Sequence, residues 1–581
     1  MSNTKSYIFI CALMGLGFMA EAQTDKKLDQ SVQVVREYSP TISDATKMHK
    51  MPVLDDTSSY RPVFRYGILD RVSLVSTKPE TISAARMNYR SNELFYRSML
   101  RGGLGNYSSF AGDYTYNILN NKEFLLGFDL GHRTSIGRLK LEDDDKVDAP
   151  FHDTEAVLNF KYFFDKYTFS SNLKFDHHIY RFYGLQTLDA ADSYANIADP
   201  LNPLLGSALF GDDDERWSGF KANFGLANNL DEEAAVNFNS NLGFNLFSTK
   251  TGVKQNGFNL SGEAIFPVAE YRGGIEASLD YAKVSKPDSV GPLYSFEERS
   301  HTLLQIKPHV NFVFNNFNLR AGIAIVAQIE KNEDEFYLMP DVKGVWNVAE
   351  GTVSLYGALR GDFRANSYRE IIEENPFVSA DQNVKSSATP ISIEAGLDAR
   401  FSSVVSFNAR VGYSVINDEH FFVNKPYLST SAVTAYSNRF VAVYDDANLF
   451  NASAGLTVSP GNKSQILARI EYYGWQTDLL DKAWHKPETE FSVEWRFFPA
   501  EKLLIDGGVT LLGRRYAQDV ATLSAKKLDA VVDLSIGGEY YLSQQFSLFM
   551  RMNNLAASKY YRWNGYPSHG LNLLVGLSFY F

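Results

Sequence analysis

The sequence predicts an all-β chain: a large antiparallel transmembrane β-barrel of the outer-membrane type, with about 22 strands (20–22) and a C-terminal strand that ends at Phe581. Three observations predict it. Hydrophobicity alternates with period two from about Tyr96 to the end, connections alternate between short and long, and aromatic residues make up 14 % of a chain that is only 45 % hydrophobic. A wall with lipid on one side and water on the other combines many rings with a polar average, because alternate residues face the two media and aromatics collect at the interfaces.

The first residues set the compartment. Lys5 is a short positive region, Tyr7 to Met19 is an apolar run too short to cross a bilayer as a helix, and Ala20-Glu21-Ala22 precedes Gln23 as an A-x-A cleavage site. Residues 1–22 therefore read as a secretory signal and the expected location is the cell outer membrane. The single cysteine, Cys11, lies within that signal, so thiol catalysis, disulfides and cysteine–metal sites are excluded from the mature chain. Residues 23–95 are expected to form a short periplasmic region, kept extended by Pro40, Pro52 and Pro62.

Alternation is clearest where Val236, Phe238, Ser240, Leu242, Phe244 and Leu246 share one face and Asn237, Asn239, Asn241, Gly243 and Asn245 the other. It recurs in Phe124 to Gly131, and in Leu528 to Tyr540 with Asp529, Asp533 and Glu539 on the second face. Carboxylates there demand water on that side. Short turns are expected at Asn120-Asn121, Asp165-Lys166, Asn228 to Asp231, near Ala269, and at Asn315-Asn316, Glu350-Gly351, Ser402-Ser403, Pro460 to Asn462, Pro499 to Glu501 and Ser543-Gln544. Long polar connections are expected at Ser135 to His152, Gly184 to Trp217, Arg364 to Ala388 and Asn417 to Asp446. Short turns on the periplasmic side and long loops outside are the pattern of bacterial outer-membrane barrels. At the end, Leu571, Leu573, Val575, Leu577, Phe579 and Phe581 form one apolar face. Phe579 and Phe581 are read as the signal recognised by the outer-membrane assembly machinery.

Several stretches resemble the barrel portion of TonB-dependent outer-membrane receptors. Asn554-Leu555, Tyr560-Tyr561, Pro567, Gly570 and Phe581 match the family's closing segment, with Leu571 where the family carries arginine. Glu374-Asn375-Pro376, Glu394-Ala395-Gly396 and the strand Val404 to Val415 are similar to an internal stretch, and Gly103 to Asn117 looks like the first two barrel strands. The resemblance implies nutrient uptake or ligand binding at the surface, with no enzyme activity. It fails at the amino terminus, where 23–95 is far shorter than the family's plug domain. A lumen this wide left empty would breach the permeability barrier, so inward-folding loops, the amino-terminal region or a partner is expected to close it. The alternation of Val32, Val34 and Val35 suits pairing with a partner's sheet edge, as a TonB-box segment does, and also fits the plainer reading of an ordinary short strand or disordered linker.

Other chemistry is weaker. The net charge of −12 excludes nucleic acid as a partner. Acidic clusters at Glu142 to Asp145, Asp212 to Glu215 and Asp445-Asp446 lack calcium-loop spacing and read as solvated loop tips. His177 and His178 beside Asp176 point to opposite faces of a strand, so they do not chelate one ion. No Gly-x-Ser-x-Gly elbow occurs, and no cofactor, metal or catalytic residue is assigned. Tyr180, Phe182, Tyr183, Tyr427, Tyr436 and Phe440 are either ligand-gripping loop residues or girdle aromatics. Expected partners are outer-membrane lipids, the assembly machinery, and a surface lipoprotein or second barrel subunit. The alternative to uptake is a scaffold subunit in an outer-membrane complex.

Overall fold

The computed structural model describes residues 97–581 apart from 121–122, 142–145, 185–213, 229–235, 287–295, 297, 332–333, 350, 430–433, 462–463 and 520–521; side chains are also left undescribed at 119–120 and 426–437. Val32, Val34 and Val35 lie outside the described residues.

Twenty-two antiparallel strands form one sheet in which each pairs with its neighbours in the chain. The first strand, Ser98–Gly105, pairs with the last, Asn572–Tyr580, in the register Met99↔Tyr580 to Gly105↔Leu574, so the sheet closes and has no free edge. Beyond that register, Ser98 and Phe581 exchange backbone hydrogen bonds of 2.9 and 3.0 Å. A strand of about 12 residues at ~3.3 Å each, inclined by roughly 40°, rises about 30 Å, the thickness of the hydrocarbon layer.

The period-two reading holds in three dimensions. Val236, Leu242, Phe244 and Leu246 are exposed on the outside, while Asn245 on the alternate face meets a side chain inside the barrel. At the short-turn end the outward rings form a belt that passes from strand to strand: Tyr271 to Phe312, Phe312 to Phe314, Phe314 to Phe317, and Phe546 to Phe579 to Phe581, with centroids 4.7 to 6.5 Å apart. This is the girdle that amphipathic rings form at a membrane interface.

The described strand ends that flank the ten expected short turns all fall at that end, together with Arg97 and Phe581. The opposite end differs from expectation in three places. Asn417 to Asp446 is not a polar loop: it belongs to the two longest strands, Val405–Ser429 and Thr434–Val458, which pair far beyond the wall through register shifts at Ile416/Glu419 and Asn424/Pro426. Irregular positions such as Asp418, with φ of 52°, break the alternation and hide the strand from a period-two search. Leu528 likewise belongs to a separate hairpin, Arg515–Gln518 with Ala525–Leu528, and the barrel strand starts at Val531. Arg515 separates the two by donating to the carbonyls of Asp529, Tyr561 and Arg562 at 2.8 to 3.1 Å. Finally, the connection Arg364 to Ala388 holds a helix, α1 (Tyr368–Glu374).

Candidate functional site

A seven-residue helix is too short to persist on propensity alone, so both its ends and its faces must be held from outside. Ser367 caps it: the hydroxyl accepts from Glu370 N–H, and the Glu370 carboxylate accepts from Ser367 N–H at 2.8 Å. Such a capping box is worth about 1 kcal/mol. Asn375 closes the other end and is fully buried, its side chain accepting from Phe377 N–H at 3.0 Å.

What α1 touches defines the site. The helix leaves the wall between the thirteenth and fourteenth barrel strands, Val353–Arg364 and Ser387–Arg400, yet Arg369 reaches Asp176 on the fifth, Tyr167–Arg181. The Arg369 Nη2 to Asp176 Oδ1 distance is 2.6 Å and both side chains are 2 % exposed. Arg369 also bonds Glu373 at 2.6 Å, and its backbone N–H donates to Gln255 on the eighth strand, Lys254–Val268. The loop therefore crosses the mouth from one side of the ring toward the other. Gly219, opposite Asp176 in the neighbouring strand, leaves the space: a Cβ there would sit inside van der Waals contact of both Arg369 and Asp176.

Other connections join the crossing. Phe377 stacks on Tyr566 from the last loop with ring centroids 3.6 Å apart, and Tyr183 meets both rings edge-on. Asn438 donates to the carbonyls of Phe182 and Gly184 at 3.1 and 3.2 Å. Residues 377–379 add to Phe440 as a short parallel bridge, and Gln382 extends it by accepting from Ala442 N–H at 2.7 Å. The result is a hydrophobic core at the mouth that gathers Tyr180, Phe182, Tyr183, Trp217, Phe247, Tyr368, Ile371, Phe377, Phe440, Trp563 and Tyr566. Tyr180, Phe182, Tyr183 and Phe440 are thus neither girdle residues nor an open ligand grip; they are the core of a cap. The side chains of Tyr427 and Tyr436 lie outside the described ones.

Polar groups lock this core. Glu374 accepts from His420 Nε2 at 2.6 Å and from Lys486 Nζ at 3.1 Å. Burial alone would push its carboxyl up, but the Lys486 ammonium and the His420 bond outweigh burial and hold it far below the usual range. Lys425 pairs with Asp381 and Ser379. His485 is fully buried; its Nδ1 donates to the Phe422 carbonyl at 2.9 Å and its Nε2 accepts from Asn564 N–H at 3.3 Å. Burial in this ring-lined site, more than the nearby Arg515 charge, pushes its pKa down to about 3.

The acidic clusters also depart from expectation. Asp445 is buried and accepts from Leu479 and Leu480 N–H at 2.8 to 3.1 Å, and Glu215 accepts from Arg216 and Lys250 N–H at 2.9 and 3.0 Å. Both tie loop backbone to strands; Glu142 to Asp145 lies outside the described residues. His177 bonds Ser218 at 2.7 Å on one face of the wall and His178 bonds Asp153 at 2.8 Å on the other, so no serine–histidine–acid set converges there. Asp176 serves Arg369 rather than either imidazole.

A closed 22-strand wall with an apolar exterior defines the class: a membrane-spanning β-barrel of the outer-membrane type. No protein-family model matches the chain, and no curated protein matches it. Solved structures do. The FrpB iron transporter from Neisseria meningitidis (F3-3 variant) superposes with a TM-score of 0.62 at 11 % identity, covering 84 % of this chain and 82 % of that one. The ferric-catecholate import receptor Fiu from K12 E. coli gives 0.60 at 8 % identity over 84 % and 82 %, and the copper transporter OprC 0.58 at 12 % over 84 % and 83 %. Identities this low establish a shared barrel fold.

Proposed function

We propose that this chain is an uptake receptor of the outer membrane, a barrel of the TonB-dependent receptor type whose external loops close its own mouth, and that it is not an enzyme. The observation that carries the reading is the α1 crossing: Arg369 and Asp176 form a buried ion pair across the mouth. A scaffold subunit needs a wall and an outer surface, whereas a latched cap is useful to a barrel that must admit a solute and exclude others. The likeness to iron and copper transporters and to a ferric-catecholate receptor supports the same reading at the level of fold.

The test is a deletion strain grown under limitation for one nutrient class at a time, with affinity purification of the native protein from membranes. Loss of growth on one nutrient, restored by the wild-type chain, supports uptake. Normal growth throughout, with a second barrel co-purifying in fixed ratio, overturns it in favour of a scaffold.

A further inference from the structure

We propose that Glu263, Glu276 and His309 form a binding site for a divalent transition-metal ion on the lumen wall, between the mouth cap and the short-turn end. Each offers one ligand atom, and the three atoms lie within 4.8 Å of one another. They come from three consecutive strands, Lys254–Val268, Tyr271–Ser285 and Arg299–Phe314, with Glu263 directly opposite Glu276 and His309 opposite Gly274. Exposed Leu260, Ile275 and Leu304 occupy the alternate positions and mark the lipid side, so the trio faces inward.

The histidine does more than neighbour two acids. Its ring lies across Gly274, where any Cβ would collide with it, and this directs Nε2 toward Glu263. Nδ1 donates to the Lys307 carbonyl at 3.2 Å, which fixes the tautomer and leaves the Nε2 lone pair as the ligand atom. That Nε2 is buried with no hydrogen-bond partner, on a side chain 0 % exposed. It stands 3.9 Å from Glu263 Oε1, too far for a direct hydrogen bond and close to the gap that a shared ion fills.

Charge and geometry agree. Arg320 holds Glu276 at 2.6 Å but shares itself with Asp341 at 2.9 Å, and Glu263 has no lysine or arginine within 4.0 Å among the described residues. Two carboxylates facing each other with one shared guanidinium leave negative charge for a cation. Donors about 2.1 Å from a tetrahedral ion lie about 3.4 Å apart, so binding draws the trio in by roughly an ångström, within reach of two glutamates. One imidazole with two carboxylates selects zinc-like ions over calcium or magnesium, which favour all-oxygen shells.

Tag-free full-length protein, refolded in detergent and stripped with chelator, is titrated with Zn2+ by calorimetry. One equivalent is expected, with affinity at least tenfold weaker in His309→Gln and in Glu263→Gln, retained in Arg369→Ala, and not competed by Ca2+. Heat-modifiable migration on gels certifies that each variant is folded. Equal Zn2+ binding by wild type and His309→Gln, or none by wild type, as expected if only water bridges the gap, overturns the site. Should both variants fail to fold, Cu2+ paramagnetic resonance of the wild type decides: nitrogen coupling from one imidazole at one equivalent supports it, and its absence overturns it.

Discussion

Replacing Arg369 by alanine removes the direct ion-pair partner of Asp176, at 2 % exposure, and of Glu373, leaving the Lys221 ammonium as the cation near both. Removing one member of a buried pair costs about 3–5 kcal/mol. Because the pair joins the crossing loop to the fifth strand and not the wall to itself, the cost falls on the closed state of the mouth, shifting closed against open by roughly 10² to 10⁴. The assay is conductance of single barrels in planar bilayers, with circular dichroism to confirm an intact wall. Wild type is expected to be closed with rare brief openings and Arg369→Ala to show long openings. Asp176→Asn/Arg369→Met, which removes both charges, is expected to recover most of the closure. Conductance of Arg369→Ala indistinguishable from wild type would refute the latch, as would large steady pores in wild type.

Gly219→Ala places a methyl group against both partners of that pair, and overpacking of roughly 1–3 kcal/mol is expected to open the mouth in the same assay without altering the wall. Acid is expected to loosen the cap. His485 takes its proton near its ordinary 6.5 when exposed but only near about 3 when buried, so the open state binds more protons between those values and closure weakens as pH falls through that window. At pH 5 this is roughly 2 kcal/mol, a factor of about 30 in conductance probability, and His485→Gln should flatten the profile. Glu374, held below its ordinary 4.5, adds stability above that value that is lost on further acidification. Phe581→Ala is expected to lower the yield of heat-modifiable barrel in outer membranes and Phe581→Tyr to restore it, which measures the assembly role proposed for Phe579 and Phe581. Mass spectrometry of the mature protein is expected to place its amino terminus at Gln23.

The wall was legible because its physics repeats. Lipid outside and water inside impose the same alternation on Phe124 to Gly131 as on Val236 to Leu246, and turns such as Pro460-Gly461-Asn462 punctuate it with residues that strands avoid. The cap was not, because it is assembled from single residues of distant connections. Arg369 lies in a stretch that reads in sequence only as a long polar connection and Asp176 reads as a companion of two histidines, and nothing local ties one to the other. One local signal was present: Ser367-x-x-Glu370 is a capping box and marks α1 inside a stretch read only as polar loop. Asp445 and Glu215 looked like solvated acids because a carboxylate that accepts backbone N–H groups has no sequence signature.

The cap's bonds also fix an order of events. Arg369 meets Asp176 across 193 residues, Asn438 meets Phe182 across 256, and Tyr183 meets the Pro567 carbonyl across 384. Contacts so distant form only when the strands that carry both partners are in place, so the lid forms late, alongside the closing of the first strand on the last. A barrel sealed by such contacts depends on its whole ring for its lid, so a defect in any one of the strands that carry them reaches the mouth as well as the wall.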